Sequence, residues 1–419
     1  MSIKVTREEI AKGAGLTCIT DEKFKTNSAV IRFVLPLDER YASANALAAQ
    51  LLILSHKKYT GLTAITDFTN KLYGASIGAS NFKVGDNQVI AFTANAIRDE
   101  YALDGEKLFY ELIKVLLECI FEPLEFDDKY FDLKKRELID SIESEINEKR
   151  SYAISNANKY AFKDEPYSLS PNGTKQSAEA LTKKQVTEVY KNLLQNASVE
   201  ASLSGGGDFE SAKSLIVDAL KRRGEAPTYP FVSLSPAKAE VVKAEDSCEM
   251  NQLKMVMLFK TDYKNDSANG LFAALLGGTP FSKLFMNVRE KLSLCYYCVS
   301  RMIYEKGAMM IDSGIDSGNL TAAYDEILNQ IEEIKKGNFT DDELYNTKLA
   351  MRGSMKTVYD SASELAAWYF TRHARGKTNQ SPDEAQEEMF AVTRDQIIEA
   401  AKSIKLDTVY TLKTSGGDK

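Results

Sequence analysis

The stretch SANALAAQLL, residues 43–52, returns as SANGLFAALL at residues 267–276, with seven of ten positions identical and an offset of 224 residues. Two more pairs of segments correspond in the same order: VIRFVLPLDE (30–39) with KMVMLFKTDY (254–263), and SVEASLSGGGD (198–208) with TVYTLKTSGGD (408–418). Repeats this far apart indicate duplicated domains rather than a solenoid, whose repeats span about 20–50 residues. The sequence therefore predicts two related halves.

Each half has the same order of predicted elements, namely a strand, a long apolar helix, a hairpin and further helices. The first hairpin, within residues 72–97, is predicted to turn near Gly85-Asp86, and the second to turn near residues 305–307. Later helices are predicted over residues 105–121, 130–164 and 320–336, and Thr340 is predicted to cap one more.

Hairpins followed by helices predict an α+β fold, with an antiparallel sheet covered by helices in each half. The stretch GEAPTYPFVSLSP, residues 224–236, contains three prolines and reads as a linker. The predicted domains are therefore residues 1–224 and residues 237–419, joined by a linker at residues 225–236.

Composition excludes several classes of protein. A net charge of −7 and an isoelectric point near 5.3 argue against a nucleic-acid partner. No segment approaches the ~18 apolar residues of a membrane span, and the N-terminus has no apolar signal core. Five cysteines form no disulfide framework, so we expect a reducing, cytoplasmic location.

The segment FSKLFMNVREKLSLCYYCVS, residues 281–300, reads as a helix followed by a strand. Arg289 lies near the end of the helix, and Tyr296 lies seven residues later in the strand. Cys295 and Cys298 have the spacing of a redox or metal-binding pair. In a regular strand residues i and i+3 point to opposite faces, so we expect the two thiols to diverge.

The residues LLGGTPFSKLFMNVREKLSLCYY (275–297) and DEPYSLSPNGT (164–174), together with the duplication, resemble the pitrilysin, insulinase and mitochondrial-processing-peptidase family of zinc peptidases. The resemblance covers essentially the whole chain and implies the two-domain fold of the mitochondrial processing peptidase. It also implies that Arg289 and Tyr296 bind substrate, by donating hydrogen bonds to the peptide at the active site.

The zinc motif of that family, H-x-x-E-H on a helix of the first half, is missing. The chain has two histidines, His56 and His373, which lie 317 residues apart and read as structural or exposed. The motif window falls on residues 46–50, where every ligand position is apolar or an amide. The segment that resembles the last zinc-ligand region keeps only carboxylates, which read as a solvated helix face: Glu137, Asp140, Glu143 and Glu145. We therefore expect no zinc and no catalytic residue on this chain.

Two functions remain open. The chain is either the non-catalytic subunit of a heterodimeric zinc peptidase, or a structural or regulatory homologue with no proteolytic role, like the core subunits of the respiratory bc complex. In the first case a paralogous partner supplies H-x-x-E-H and the zinc, and this chain forms a homodimer if the partner is absent. The resemblance also implies that the strand beginning near Leu72 pairs with substrate, which makes Ala75, Ser76 and Ile77 candidate peptide-binding residues.

Overall fold

The computed structural model describes residues 3–207 and 209–415, and the chain divides into two compact units. The first unit consists of Met1–Glu143, Leu169–Phe231 and Val358–Gln380, and the second of Ser144–Ser168, Val232–Thr357 and Ser381–Lys419. Each unit therefore takes most of its chain from one predicted half and a short segment from the other half. The linker boundary at residues 225–236 stays a prediction.

The strands form one mixed sheet in each unit. The six-stranded sheet of the first unit has the order β1-β2-β6-β3-β5-β4, and the five-stranded sheet of the second has the order β7-β11-β8-β10-β9. The strands are β1 (Lys4–Ala11), β2 (Ala14–Thr20), β3 (Thr26–Pro36), β4 (Ser76–Val84), β5 (Asn87–Ile97), β6 (Ser198–Gly205), β7 (Val242–Cys248), β8 (Leu253–Lys260), β9 (Cys295–Ile303), β10 (Ala308–Ile315) and β11 (Lys405–Thr414).

Helices cover both faces of these sheets. They are α1 (Ala42–Leu52), α2 (Gly61–Lys71), α3 (Leu108–Phe121), α4 (Asp128–Ser144), α5 (Lys149–Ala161), α6 (Lys175–Glu179), α7 (Lys183–Asn196), α8 (Glu210–Arg223), α9 (Asp266–Ala273), α10 (Leu320–Lys335), α11 (Asp341–Thr357), α12 (Ala362–Ala374), α13 (Pro382–Ala391) and α14 (Arg394–Ser403). Two π-helical segments, Ala274–Gly278 and Leu284–Lys291, follow α9. Among the helices described, none combines the length and apolar composition needed to cross a membrane.

The central strand of the first unit is buried on both faces. β3 reads TNSAVIRFVLP and is buried along nearly its whole length, as expected of a strand covered on two sides. One face packs in the main core with α1, α3, α7 and α8. Leu365 of α12 lies in a second cluster with Ile19 on the other face, where Phe370 covers the buried Arg32 guanidinium at 4.5 Å.

The sheet of the second unit is covered in the same way. One face forms a core with α9, α10 and α14. The other face packs against α5, whose alanines at positions 153, 157 and 161 lie one turn apart and let the helix approach the strands closely. Asn156 of α5 donates a hydrogen bond to the buried Tyr410 hydroxyl on β11 at 3.3 Å.

The two units share one five-stranded topology, as the duplication predicts, and the first unit has β1 as an additional edge strand. β6 pairs parallel with β2 and antiparallel with β3, and β11 pairs parallel with β7 and antiparallel with β8. The repeated SAN tripeptides open α1 and α9, each directly after a central strand. The predicted α+β sandwich fold is confirmed, although each sheet contains one parallel pair and is mixed rather than antiparallel. Asp208 and residues 416–418 of the third repeat lie outside the described residues.

Most predicted elements agree with the structure. Both hairpins turn where predicted, and Thr340 and Glu343 form a reciprocal cap at the start of α11. The single helix predicted over residues 130–164 is wrong, because the chain breaks at a short turn, Glu145–Asn147, between α4 and α5. The break has a physical reason: α4 lies in the first unit except for its last residue, whereas α5 lies in the second. Sequence periodicity cannot distinguish two successive amphipathic helices from one.

Lys260 is a buried cation at the end of β8. Its ammonium lies 3.4 Å from the centroid of the Phe162 ring and has no hydrogen-bond partner among the residues that the structure describes. Burial lowers the pKa of Lys260 to about 8, although the carboxylates of Asp407 and Glu165 act in the opposite direction. The charged form of Lys260 is therefore disfavoured in the folded state.

We predict that Lys260→Met changes the pH dependence of stability. Between pH 8 and 10.5 the unfolded chain holds a proton that the native Lys260 has released, so raising the pH stabilises the wild-type protein. The Met variant lacks this gain, and its advantage over wild type should be greatest below pH 8 and shrink up to 10.5. Urea unfolding at several pH values measures the difference. The exposed Lys405→Met is the control, and an equal pH trend in both variants contradicts the assignment.

Candidate functional site

Arg289 lies on the second π-helical segment, Leu284–Lys291, with its side chain 42% exposed. Leu284 and Val288 anchor the segment in the core of the second unit, which leaves Arg289 on the outer side. The guanidinium lies 4.6 Å from the centroid of the Phe285 ring, four residues earlier, and its Nε lies 3.6 Å from the Glu290 carboxylate. This stacking restricts the guanidinium while leaving its N–H donors available to another group.

Tyr296 lies at a β-bulge in the edge strand β9. Cys295 pairs with Ile315 of β10 and Tyr297 pairs with Gly314, so one residue of β10 faces two residues of β9 and Tyr296 is the extra one. Bulges re-aim side chains and are common near functional sites. Here the bulge leaves the Tyr296 ring 53% exposed instead of packed against the sheet.

Two contacts fix this region, and the sequence gives no signal for either. The Tyr296 hydroxyl donates to Asp316 Oδ2 at 3.4 Å, a residue twenty positions away that follows β10. Ser293 takes a positive φ of 52° between the π segment and β9, and its N–H donates to the Arg289 carbonyl at 3.1 Å. The turn at Ser293 thus connects the segment of Arg289 directly to the strand of Tyr296.

The same bulge overturns the prediction that Cys295 and Cys298 diverge. With one extra residue between them, both thiols point to the same face and lie in the same apolar cluster. The neighbouring Cys298 thiol and the positive charge of Arg289 lower the pKa of Cys295, and the interaction with Cys295 raises the pKa of Cys298.

The helix at the position of the family's zinc motif, α1, carries no metal-binding side chain. In the predicted window of residues 46–50, positions i, i+3 and i+4 of H-x-x-E-H are Ala46, Ala49 and Gln50, all apolar or an amide. A register one residue later places the motif on Leu47, Gln50 and Leu51. Leu47 and Leu51 are each 1% exposed, in the core. Gln50 Nε2 donates to the Ala79 carbonyl of β4 at 3.0 Å. Two leucines and an amide do not provide the imidazole and carboxylate ligands that zinc requires, so this helix does not fit the metal.

Both histidines have structural roles. His56 is buried, its Nδ1 accepts hydrogen bonds from the N–H groups of Lys58 and Tyr59, and its Nε2 lies 2.6 Å from Glu118 Oε2. Because Nδ1 is an acceptor, the ring proton lies on Nε2 and bonds the carboxylate. His373 is held between Glu200, at 3.3 Å from its Nε2, and Thr378 Oγ1, at 2.9 Å from its Nδ1.

The carboxylates of the last-ligand segment lie on or just after α4. Glu137 pairs with Lys134 at 2.8 Å, and Glu143 pairs with Lys175. Asp140 is exposed on the same helix, and Glu145 lies in the turn that follows α4. Within residues 3–207 and 209–415, no three His, Cys, Asp or Glu side chains cluster in a way that could hold a metal ion.

The predicted peptide-binding strand, β4, is the edge strand of the first unit. Ser76 begins it with an exposed side chain, and Ile77 is half-buried. Ala75 precedes the strand, and its side chain is buried in the core. Loop residues cover the far end, where Asn81 Nδ2 donates to the Pro171 carbonyl at 2.6 Å. The part of the edge that remains open therefore begins at Ser76.

Residues 180–351 match the family model described as the peptidase M16 inactive domain. The chain is 29% identical over 419 residues to the "Probable inactive metalloprotease YmfF" of Bacillus subtilis, covering 97% of this chain and 98% of that one. The chain is thus similar to M16 peptidase relatives that are described as inactive. The resemblance predicted from the sequence is confirmed.

Solved structures resemble the fold of this chain over its full length. A conserved protein from Enterococcus faecalis aligns with a TM-score of 0.90 and 24% identity, covering 99% of this chain and 100% of the other. A peptidase M16 inactive domain from Pseudomonas fluorescens aligns with a TM-score of 0.79 and 17% identity, covering both chains fully. At these identities the likeness shows the fold alone.

This chain thus combines two contrasting features. The helix expected to hold zinc is apolar, whereas Arg289 and Tyr296 are exposed on adjoining elements of the second unit. The roles of Arg289, Tyr296, Ala75, Ser76 and Ile77 in binding substrate stay predictions.

Proposed function

We propose that this chain is the non-catalytic subunit of a heterodimeric zinc metallopeptidase. It forms half of a peptide-binding chamber and contributes Arg289 and Tyr296 to the active site of a partner. The partner is a paralogous chain that carries H-x-x-E-H and holds the zinc. The observation that carries the proposal is the exposure of a stacked guanidinium and a bulge-directed phenol on adjoining elements.

The chemistry of these two groups fits a supporting role. A guanidinium and a phenol both donate hydrogen bonds to a carbonyl oxygen, and they stabilise negative charge that develops there during hydrolysis. Neither group is a base at neutral pH, so they cannot activate water by themselves. Arg289 and Tyr296 therefore need a second chain that performs the attack on the peptide.

The proposal also covers the location, the substrate class and the oligomeric state of the chain. The chain works in the cytoplasm on peptides, without nucleic acid or a membrane, and forms homodimers where the partner is absent. The alternative is a structural or regulatory homologue with no role in proteolysis. We favour the peptidase subunit because Arg289 and Tyr296 are exposed on adjoining elements and both can donate hydrogen bonds to a peptide.

We predict that the isolated chain holds no stoichiometric zinc. The motif positions on α1 are apolar or an amide. Among the described residues, the carboxylates near α4 do not cluster with a histidine to form a metal site. Oxygen ligands alone are poor hosts for zinc. The measurement is elemental analysis after zinc loading and dialysis. One tightly held zinc per chain that is lost on mutating residues 46–50 or 137–145 would refute the proposal.

We predict that Arg289→Ala or Tyr296→Phe lowers the peptidase activity of the reconstituted heterodimer by ~10²–10³-fold, the usual loss when one donor to an oxyanion is removed. Both side chains are exposed, so folding and assembly should remain intact. The assay combines separately purified chains. Tyr345→Phe, on an exposed tyrosine of α11, is the matched control and should retain full activity.

The outcomes separate the two candidate functions. Activity in the mixture and none in either chain alone supports a shared site. Wild-type turnover by both mutants means that the pair is structural and favours the alternative function.

We predict that an extended peptide adds to the open edge of β4, because small side chains at an edge strand let a second backbone approach. Adding peptide to the heterodimer should slow amide hydrogen exchange in Ser76–Val84. The other edge strand of the same sheet, β1, is the internal control. Equal protection of both strands, or protection of neither, argues against peptide addition at β4.

A further inference from the structure

The bulge in β9 creates a pair of thiols that the proposed function does not use. Cys295 and Cys298 are 8% and 4% exposed and lie in the same apolar cluster. Regular alternation would separate them, but the extra residue at Tyr296 turns both side chains to one face. β9 is also an edge strand, and Cys295 is the less buried of the two thiols.

The surroundings of Cys295 differ from those of the other thiols. The neighbouring Cys298 thiol and the charge of Arg289 lower its pKa. At Cys18 and Cys119 burial dominates instead, and it raises the pKa to about 11 and about 12 respectively. The thiolate is the reactive form of cysteine, so Cys295 is better placed to react than either of these buried residues.

We propose that Cys295 and Cys298 form a peroxide-sensitive dithiol that closes to an intrachain disulfide. In the first step the Cys295 thiolate attacks one oxygen of hydrogen peroxide, the O–O bond breaks, and the leaving hydroxide takes a proton to become water. Cys295 is then a sulfenic acid. In the second step the Cys298 sulfur attacks the Cys295 sulfur, an S–S bond forms, and the S–O bond breaks to release a second water.

The oxidised pair changes the strand that carries Tyr296. The new bond joins the two residues that flank Tyr296 and Tyr297, so the backbone of the bulge must adjust to it. The exposure of the Tyr296 ring then depends on the oxidation state of the thiols. The formation of the disulfide itself does not depend on any peptidase role of the chain.

The test treats the native, reduced protein with a small excess of hydrogen peroxide, then unfolds it in an alkylating reagent and analyses the digested peptides by mass spectrometry. The expected product is a peptide with both Cys295 and Cys298 unalkylated and a mass lower by about 2 Da, the loss of two hydrogens. Cys18 and Cys119 serve as internal controls and should be alkylated. A product in which Cys295 and Cys298 remain free, or in which Cys248 oxidises first, overturns the proposal.

Single variants separate the two roles. Cys298→Ser should stop the reaction at the sulfenic acid on Cys295, an increase of about 16 Da that a dimedone probe traps. Cys295→Ser should leave Cys298 unmodified, because Cys298 is the more deeply buried thiol. Sulfenic acid on Cys298 instead contradicts the assignment of Cys295 as the attacking thiol. The wild-type measurement stays decisive if a variant fails to fold.

Discussion

Both faces of each sheet are buried, and the rest of the structure depends on the helices that cover the second face. In the first unit α12 supplies this cover, and in the second unit α5 does so. Each helix comes from the part of the chain whose other elements lie mainly in the opposite unit. A half cut from the chain at residues 225–236 would expose one apolar sheet face, since the helix that covers it belongs to the other half.

With both faces covered, the strand edges are the parts of each sheet left for recognition. β4 and β9 occupy corresponding edges of the two sheets. Helix α1 lies beside β4. Its Gln50 side chain donates a hydrogen bond to the Ala79 carbonyl of that strand. At β9 one extra residue directs Tyr296 outward and brings two thiols together. Helix α1 thus packs in the core of the first unit, whereas the edge strand β9 exposes Tyr296 to solvent.

Much of the fold could be predicted from the sequence, because repeats and hydrophobic periods are local signals. The SAN tripeptides identify two equivalent helices, and the small number of histidines excludes an H-x-x-E-H motif. The exchange of α5 and α12 could not be predicted, since it depends on which apolar surfaces meet in space. The bulge at Tyr296 could not be predicted from the sequence either, because a register shift becomes visible only when β9 is paired with β10. That omission caused the wrong prediction for Cys295 and Cys298, and it also hid Asp316 as a partner of Tyr296.

The central claim is that this chain completes the active site of another subunit. The most direct measurement is purification of the tagged chain from the cells that naturally produce it, followed by identification of bound chains and metal analysis. The account predicts a partner of similar length that carries H-x-x-E-H, with one zinc per heterodimer. Recovery of the chain alone, or with partners that lack the motif and without zinc, would contradict the account.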